Sequence, residues 1–300
     1  MSRLRRRSHP SGWVFAICSV ITLAAAFLIF LTVQGMILPP EDIPPLQTQP
    51  TPETTIPVGT DSPAVTTSPA ETTEPVETAP TEPIISLPEA EAVDKAYFSS
   101  VIFVGDSRTQ GMQIATGGYG AAFYADRGLT VDGVEKKAFI KRTAEDGSTR
   151  DLTLAEALTE DAFDGMLYLW FGLNEVGWIS SAHFENTYRQ ALTRLKEICP
   201  AADICLMSIP PVGRSAIVIG ADSPAAANAR IKTHNEIIYR LAEEMEVYYL
   251  DCTTPFSDEE GFLPEGYSND GIHLRVERNR ELLTYIQTHP IPGRQPEPAA

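Results

Sequence analysis

Positive charge is in short supply in this sequence. Its 300 residues hold 23 Lys and Arg against 40 Asp and Glu, a formal net charge of −17. A phosphate backbone requires a basic face, so nucleic-acid binding is excluded as the role of this chain. The same surplus of acid argues against a globular part resting on an anionic lipid surface. Cysteine is sparser still, at four residues. Cys18 lies in an apolar run, and Cys199, Cys205 and Cys252 form no CxxC motif and no Cys/His cluster at zinc spacing. A structural metal is therefore not expected, and the three later thiols read as small buried groups rather than a disulfide. Internal repeats are lacking too. So are a G-x-S-x-G elbow, which excludes the α/β-hydrolase plan, and an S-x-x-K motif after Ser107.

Two local absences mark the organisation of the chain. No charged residue interrupts residues 13–33, and Arg3, Arg5, Arg6 and Arg7 precede them. At about 1.5 Å rise per residue such a run spans roughly 30 Å of hydrocarbon. It is longer than the apolar core of a cleaved signal peptide and leaves without an A-x-A site. The expectation is a retained single-pass anchor at 13–36 and a cytoplasmic N-terminus at 1–12, with the remainder outside the cell. The second absence is of Lys and Arg from residues 37–92, a stretch of Pro, Thr, Glu and Ser that holds more than half of the chain's 24 prolines. With few large apolar side chains it cannot offset chain entropy by burial. It reads as a disordered stalk.

Globular patterning occupies residues 93–290, and a Pro-rich tail at 291–300 is expected to be disordered. Short apolar runs at 100–104, 121–125, 166–171, 204–209 and 247–250 predict strands, and residues 137–152 predict a hairpin about Asp146 and Gly147. Helical spacing covers 182–198, 225–245 and 275–288. Strands alternating with helices predict an α/β fold, a three-layer α/β/α sandwich on a parallel sheet of about five strands. In such sheets ligands bind beyond the carboxyl ends of the strands. Four features fall there: Gly105, Asp106 and Ser107 after the first strand; Gly128 after the second; Gly172, Leu173 and Asn174 after the third; and Asp270 with His273 after the fifth.

In this order the features resemble the four blocks of the SGNH, or GDSL-type, hydrolases, over residues 93–288. The serine block matches Phe103, Val104, Gly105, Asp106 and Ser107. The asparagine block matches Gly172, Leu173 and Asn174, with Glu175 where Asp is more usual. The last block matches Asp270, Gly271, Ile272 and His273. For the glycine block Gly117, Gly118, Gly120, Gly128 and Gly133 compete, and Gly128 is chosen because it closes the second strand. The resemblance implies a flavodoxin-like sheet and a serine esterase with Ser107 as nucleophile, His273 as base and Asp270 as its partner. It also implies an oxyanion hole of the Ser107 and Gly128 amides and the Asn174 side chain.

The chemistry agrees with that assignment. A serine hydroxyl needs a base within reach, and an Asp three residues before a His is close enough to fix its tautomer. Asp106 reads as a structural hydrogen-bonder of the loop. Arg108, Glu175 and Trp178, beside these blocks, are candidates for the substrate pocket. His183, His234 and His289 read as surface or packing residues. The charged residues 274–280 could shape the pocket rim. No metal or organic cofactor is expected. O-Acyl esters, above all O-acetyl groups on glycans or cell-wall polymers, are the leading substrates. A lysophospholipid-like lipid ester is the alternative, with a low-turnover binding protein as the third reading.

Overall fold

The computed structural model describes residues 85–294. The expected anchor at 13–36, most of the expected stalk and residues 295–300 lie outside the described residues, among which no helix is long and apolar enough to cross a membrane.

In chain order the elements are β1 (Val101–Gly105), α1 (Ser107–Thr116), β2 (Ala122–Ala125), α2 (Val131–Lys136), β3 (Ile140–Thr143), β4 (Thr149–Leu152), α3 (Leu154–Glu160), β5 (Met166–Trp170), α4 (Ser181–Ile198), β6 (Asp203–Met207), α5 (Pro224–Met245), β7 (Tyr248–Leu250) and α6 (Val276–Gln287). Five of the strands form one sheet in the order β2-β1-β5-β6-β7, parallel throughout. β3 and β4 pair as the expected hairpin.

The strands are continuous apolar runs because both faces of the sheet are covered. Successive residues supply two cores. Ile102, Val104, Leu167, Leu169, Ile204 and Leu206 face the layer that α2, α3, α4 and α5 cover. Phe103, Tyr168, Trp170, Cys205 and Met207 face the other core, which includes Met112 of α1 and Leu282, Leu283 and Ile286 of α6. Cys199, Cys205 and Cys252 are buried and unpaired.

Both ends of the domain reach further than 93–290. Ile85 accepts from the Tyr249 amide at 2.8 Å and the Leu87 amide donates to Tyr249 at 2.9 Å, so the end of the expected stalk covers the open edge of β7. An uncovered edge exposes unpaired amides and carbonyls, and the apolar Leu87 is buried once it is laid there. In the expected tail, Ile291 is fully buried, its amide donates to the Tyr97 hydroxyl at 3.0 Å, and Arg294 pairs with Asp203. Residues 111–116 belong to α1. Gly111 there lies against Asn279 of α6, about 3.9 Å from where a Cβ would stand.

Sheet order places the site. The chain moves from β1 outward to β2 and then returns to the other side of β1 with β5. The crevice at this reversal lies between the carboxyl ends of β1 and β5, where Gly105 and Trp170 are register partners.

Candidate active site

Ser107 opens α1 directly after β1. Asp106 caps that helix, its Oδ1 accepting from the Arg108 amide at 2.9 Å. On the far side of the crevice, α6 is preceded by the turn that carries Asp270 and His273. The turn is wound around one carboxylate: Oδ1 of Asp270 accepts from the amides of Ile272 and His273, both at 2.8 Å, and from the Ser268 hydroxyl at 2.9 Å. Partial burial works against its charge, but these bonds and the one from the His273 ring outweigh it and hold Asp270 well below the usual carboxylate range.

Across 166 positions of sequence the structure brings Ser107 and His273 together, with Oγ and Nε2 2.9 Å apart. His273 Nδ1 lies 2.6 Å from Asp270 Oδ2. An ionised carboxylate only accepts, so Nδ1 carries the proton and donates. That leaves Nε2 as an acceptor for the Ser107 hydroxyl, the arrangement general-base activation of an alcohol requires. The side chains of His273 and Asp270 are 45% and 53% exposed. Cavities of 670 and 430 Å³ are among those that indent the domain, and Ser268 and Gly271 of the turn that carries His273 line the second. Ser107 itself is half-buried at the carboxyl end of β1.

Asp106 is buried and has a second bond the sequence did not announce: its Oδ2 accepts from Asn174 Nδ2 at 3.0 Å. The other proton of that amide goes to the Leu129 carbonyl at 3.1 Å. One asparagine thus ties the β1, β2 and β5 loops together and sets the Leu129–Thr130 peptide, just after Gly128, beside Ser107's loop. Gly128 has φ +70 and nothing within 4 Å of its absent Cβ. Its backbone conformation, rather than crowding, is what calls for glycine.

Two of the three candidate pocket residues face the interior instead. Arg108 is 3% exposed and donates to the carbonyls of Ile272, Pro210 and Pro211. Burial pushes its guanidinium down to about 10, which leaves it cationic at neutral pH. Glu175 is 2% exposed. Its Oε1 accepts from the Val131 amide at 2.7 Å, while Oε2 is buried without a partner among the described residues. Burial pushes this carboxyl up to about 7, against the pull of the Val131 amide. Neither side chain can line a pocket, because each satisfies backbone of a neighbouring loop.

Trp178 is the candidate that does face solvent, at 64% exposure. Its indole N–H donates to the Asn174 carbonyl, which fixes the ring next to the crevice. The segment opposite exposes Ile217 and Ile219, each at 86%. Arg230 joins the two, donating to Val176 at 3.1 Å and Gly220 at 2.9 Å. Two of the three basic side chains after His273 are engaged elsewhere: Arg275 donates to Asn269, and Arg278 pairs with Glu281 and stacks on Tyr267. His234, buried, stacks on Phe184 and meets the Gly172 carbonyl.

A family model described as GDSL-like lipase/acylhydrolase matches residues 103–280, more than half of the chain. No curated protein matches it in sequence. Solved structures similar to it include a GDSL-like lipase from Bacteroides thetaiotaomicron, 16% identical over 61% of this chain and 84% of that one, at a TM-score of 0.45. An acetyl xylan esterase is 18% identical over 64% of this chain and 99% of that one, at 0.43. A mutant of an acetylxylan esterase from Geobacillus stearothermophilus is 13% identical over 68% and 96%, at 0.45.

Proposed function

Since the chain belongs to the GDSL-like lipase/acylhydrolase family, and so is an ester hydrolase, we propose that Ser107 is its nucleophile and that His273 and Asp270 activate it. Ser107 Oγ attacks the ester carbonyl as its proton passes to His273 Nε2. The same proton goes to the departing alcohol, leaving an acyl-Ser107. A water molecule, deprotonated by His273, then releases the acid. The single observation that carries this reading is the Ser107–His273–Asp270 chain of 2.9 and 2.6 Å contacts.

The oxyanion donors are the Ser107 amide at the start of α1, the Gly128 amide and the Asn174 side chain. In the described state both Asn174 protons are engaged. Service to an oxyanion requires the bond to Leu129 to yield, while the bond to Asp106 keeps the amide in place.

O-Acetyl groups on a glycan or cell-wall polymer are the substrates this site supports best. With the His273 and Asp270 side chains 45% and 53% exposed, the site accommodates a short acyl group on a bulky alcohol, whereas a long acyl chain needs an enclosed apolar pocket to gain affinity. The exposed indole of Trp178 offers a flat apolar face for a sugar ring. The exposed Ile217 and Ile219 favour a second reading, a lipid ester. The apolar run at 13–33 and the arginines before it support a single-pass membrane anchor with an extracytoplasmic catalytic domain. Rates on p-nitrophenyl acetate and p-nitrophenyl octanoate, with acetylated xylan as polymer, separate the readings. Preference for acetate and release of acetate from the polymer support the first, and preference for octanoate supports the second.

A further inference from the structure

Arg108 is a buried cation with no carboxylate in direct contact among the described residues, an arrangement that ordinarily costs several kcal/mol of solvation unless hydrogen bonds replace the water. All of its bonds go to backbone carbonyls on two loops: Nε to Ile272 at 3.0 Å, Nη1 to Pro210 at 2.8 Å and Nη2 to Pro211 at 3.4 Å. The first of these is the informative one. The peptide group joining Ile272 to His273 receives Arg108 on its carbonyl, and its N–H donates to Asp270 Oδ1 at 2.8 Å. That peptide group is thus held at both ends, and it is the one from which the His273 side chain departs. Arg108 in turn is the neighbour of Ser107 on α1. The loop of Pro210 and Pro211 is bound into the same assembly, since Gly213 donates to the Gly271 carbonyl at 2.7 Å.

We propose that Arg108 is a positioning residue for the His273 base: by clamping the Ile272 carbonyl and the Pro210–Pro211 loop to the nucleophile helix, it sets the distance and angle at which His273 Nε2 meets Ser107 Oγ. This rests on the reading of Ser107 and His273 as the catalytic pair. Its planar fork reaches both loops at once, which a lysine ammonium on a flexible stem does not. The charged groups around the imidazole are Asp270 on its own turn, and Asp106 and Arg108 from the nucleophile loop and helix.

The test uses the full chain and two variants, Arg108→Lys and Arg108→Ala, with kcat and KM on p-nitrophenyl acetate and the thermal midpoint of each. Misplacing a reacting group by about 1 Å costs on the order of 10²-fold in rate. Arg108→Lys, which keeps the cation, is expected to fold and to lose roughly 10- to 100-fold in kcat with KM little changed. Arg108→Ala is expected to lose more and to regain part of it when methylguanidinium is added. A second readout is independent of turnover. The low-field proton resonance of the His273–Asp270 hydrogen bond, assigned by its absence from His273→Gln, should be present in the wild type and lost in Arg108→Lys. Wild-type kcat in Arg108→Lys overturns the proposal, and so does survival of the resonance there. If Arg108→Ala does not fold, Arg108→Lys decides alone. A wild-type chain with the resonance but no esterase activity would instead refute the catalytic reading and leave the resonance to judge the clamp.

Discussion

Asp106 and Asn174 are joined by a 3.0 Å hydrogen bond across 68 positions of sequence. The bond spans the crevice where the sheet order reverses, and it makes the residue before the proposed nucleophile the anchor of the residue proposed for the oxyanion hole. A buried carboxylate that caps the helix of Ser107 with one oxygen and holds the Asn174 amide with the other couples the two proposed roles.

Replacing Asn174 by Ala should therefore do two things. Loss of one oxyanion donor costs about 10²–10³ in kcat, and loss of the bond to Asp106 leaves a buried acceptor oxygen unpaired, a further destabilisation of about 1–3 kcal/mol. Steady-state kinetics and a melting curve on one preparation read both. A variant with lowered stability but wild-type kcat would remove Asn174 from the oxyanion hole.

Glu175 makes stability depend on pH. Its carboxyl titrates near 4.5 without burial and is pushed up to about 7 in the fold. A folded state that binds the proton more tightly than the unfolded one loses stability as pH rises between those values. Wild type should accordingly melt lower at pH 8 than at pH 5 relative to Glu175→Gln, whose amide stays neutral and can still accept from Val131. Parallel curves for the two proteins across that range would contradict this.

Gly271 sits between Asp270 and His273 with φ +77, and a Cβ there would lie 2.7 Å from the Ala216 amide. Gly271→Ala should be strained by roughly 1–3 kcal/mol and should lower kcat more than KM, because the turn that aims His273 must move. Unchanged kcat in a stable variant would show that the turn absorbs the side chain without disturbing the base.

Trp178→Ala should raise KM for acetylated polymer while leaving p-nitrophenyl acetate turnover within about twofold, since indole burial contributes to binding rather than to the reacting centre. Equal losses on both substrates would place the ring in the chemistry.

Much of this was legible from residue patterns, and the reasons differ between parts. The five sheet strands could be read because runs such as Met166, Leu167, Tyr168, Leu169 and Trp170 are apolar on both faces. The helices at Ser181–Ile198 and Pro224–Met245 could be read because Phe184, Tyr188 and Leu195, or Ile231, Ile238 and Leu241, recur at helical spacing. Ser107, Asn174, Asp270 and His273 stood out because each follows or precedes an element at the same edge. Arg108 and Glu175 misled because charged side chains are seldom fully buried, and their partners, Ile272 and Val131, lie 164 and 44 residues away. Nor could the edge role of residues 85–87 be foreseen: Ile85 and Leu87 stand at the end of a Pro-rich stretch, and only the open side of β7 turns them into part of the sheet.

The central claim is that Ser107 is the activated nucleophile, and the most direct measurement is covalent labelling with a fluorophosphonate, located by peptide mass spectrometry. Wild type should carry one phosphonyl group, on Ser107. Ser107→Ala should carry none, and His273→Gln should label at least about 10²-fold more slowly, the scale of general-base assistance. Labelling elsewhere, or equal labelling of Ser107 with and without His273, would contradict the account.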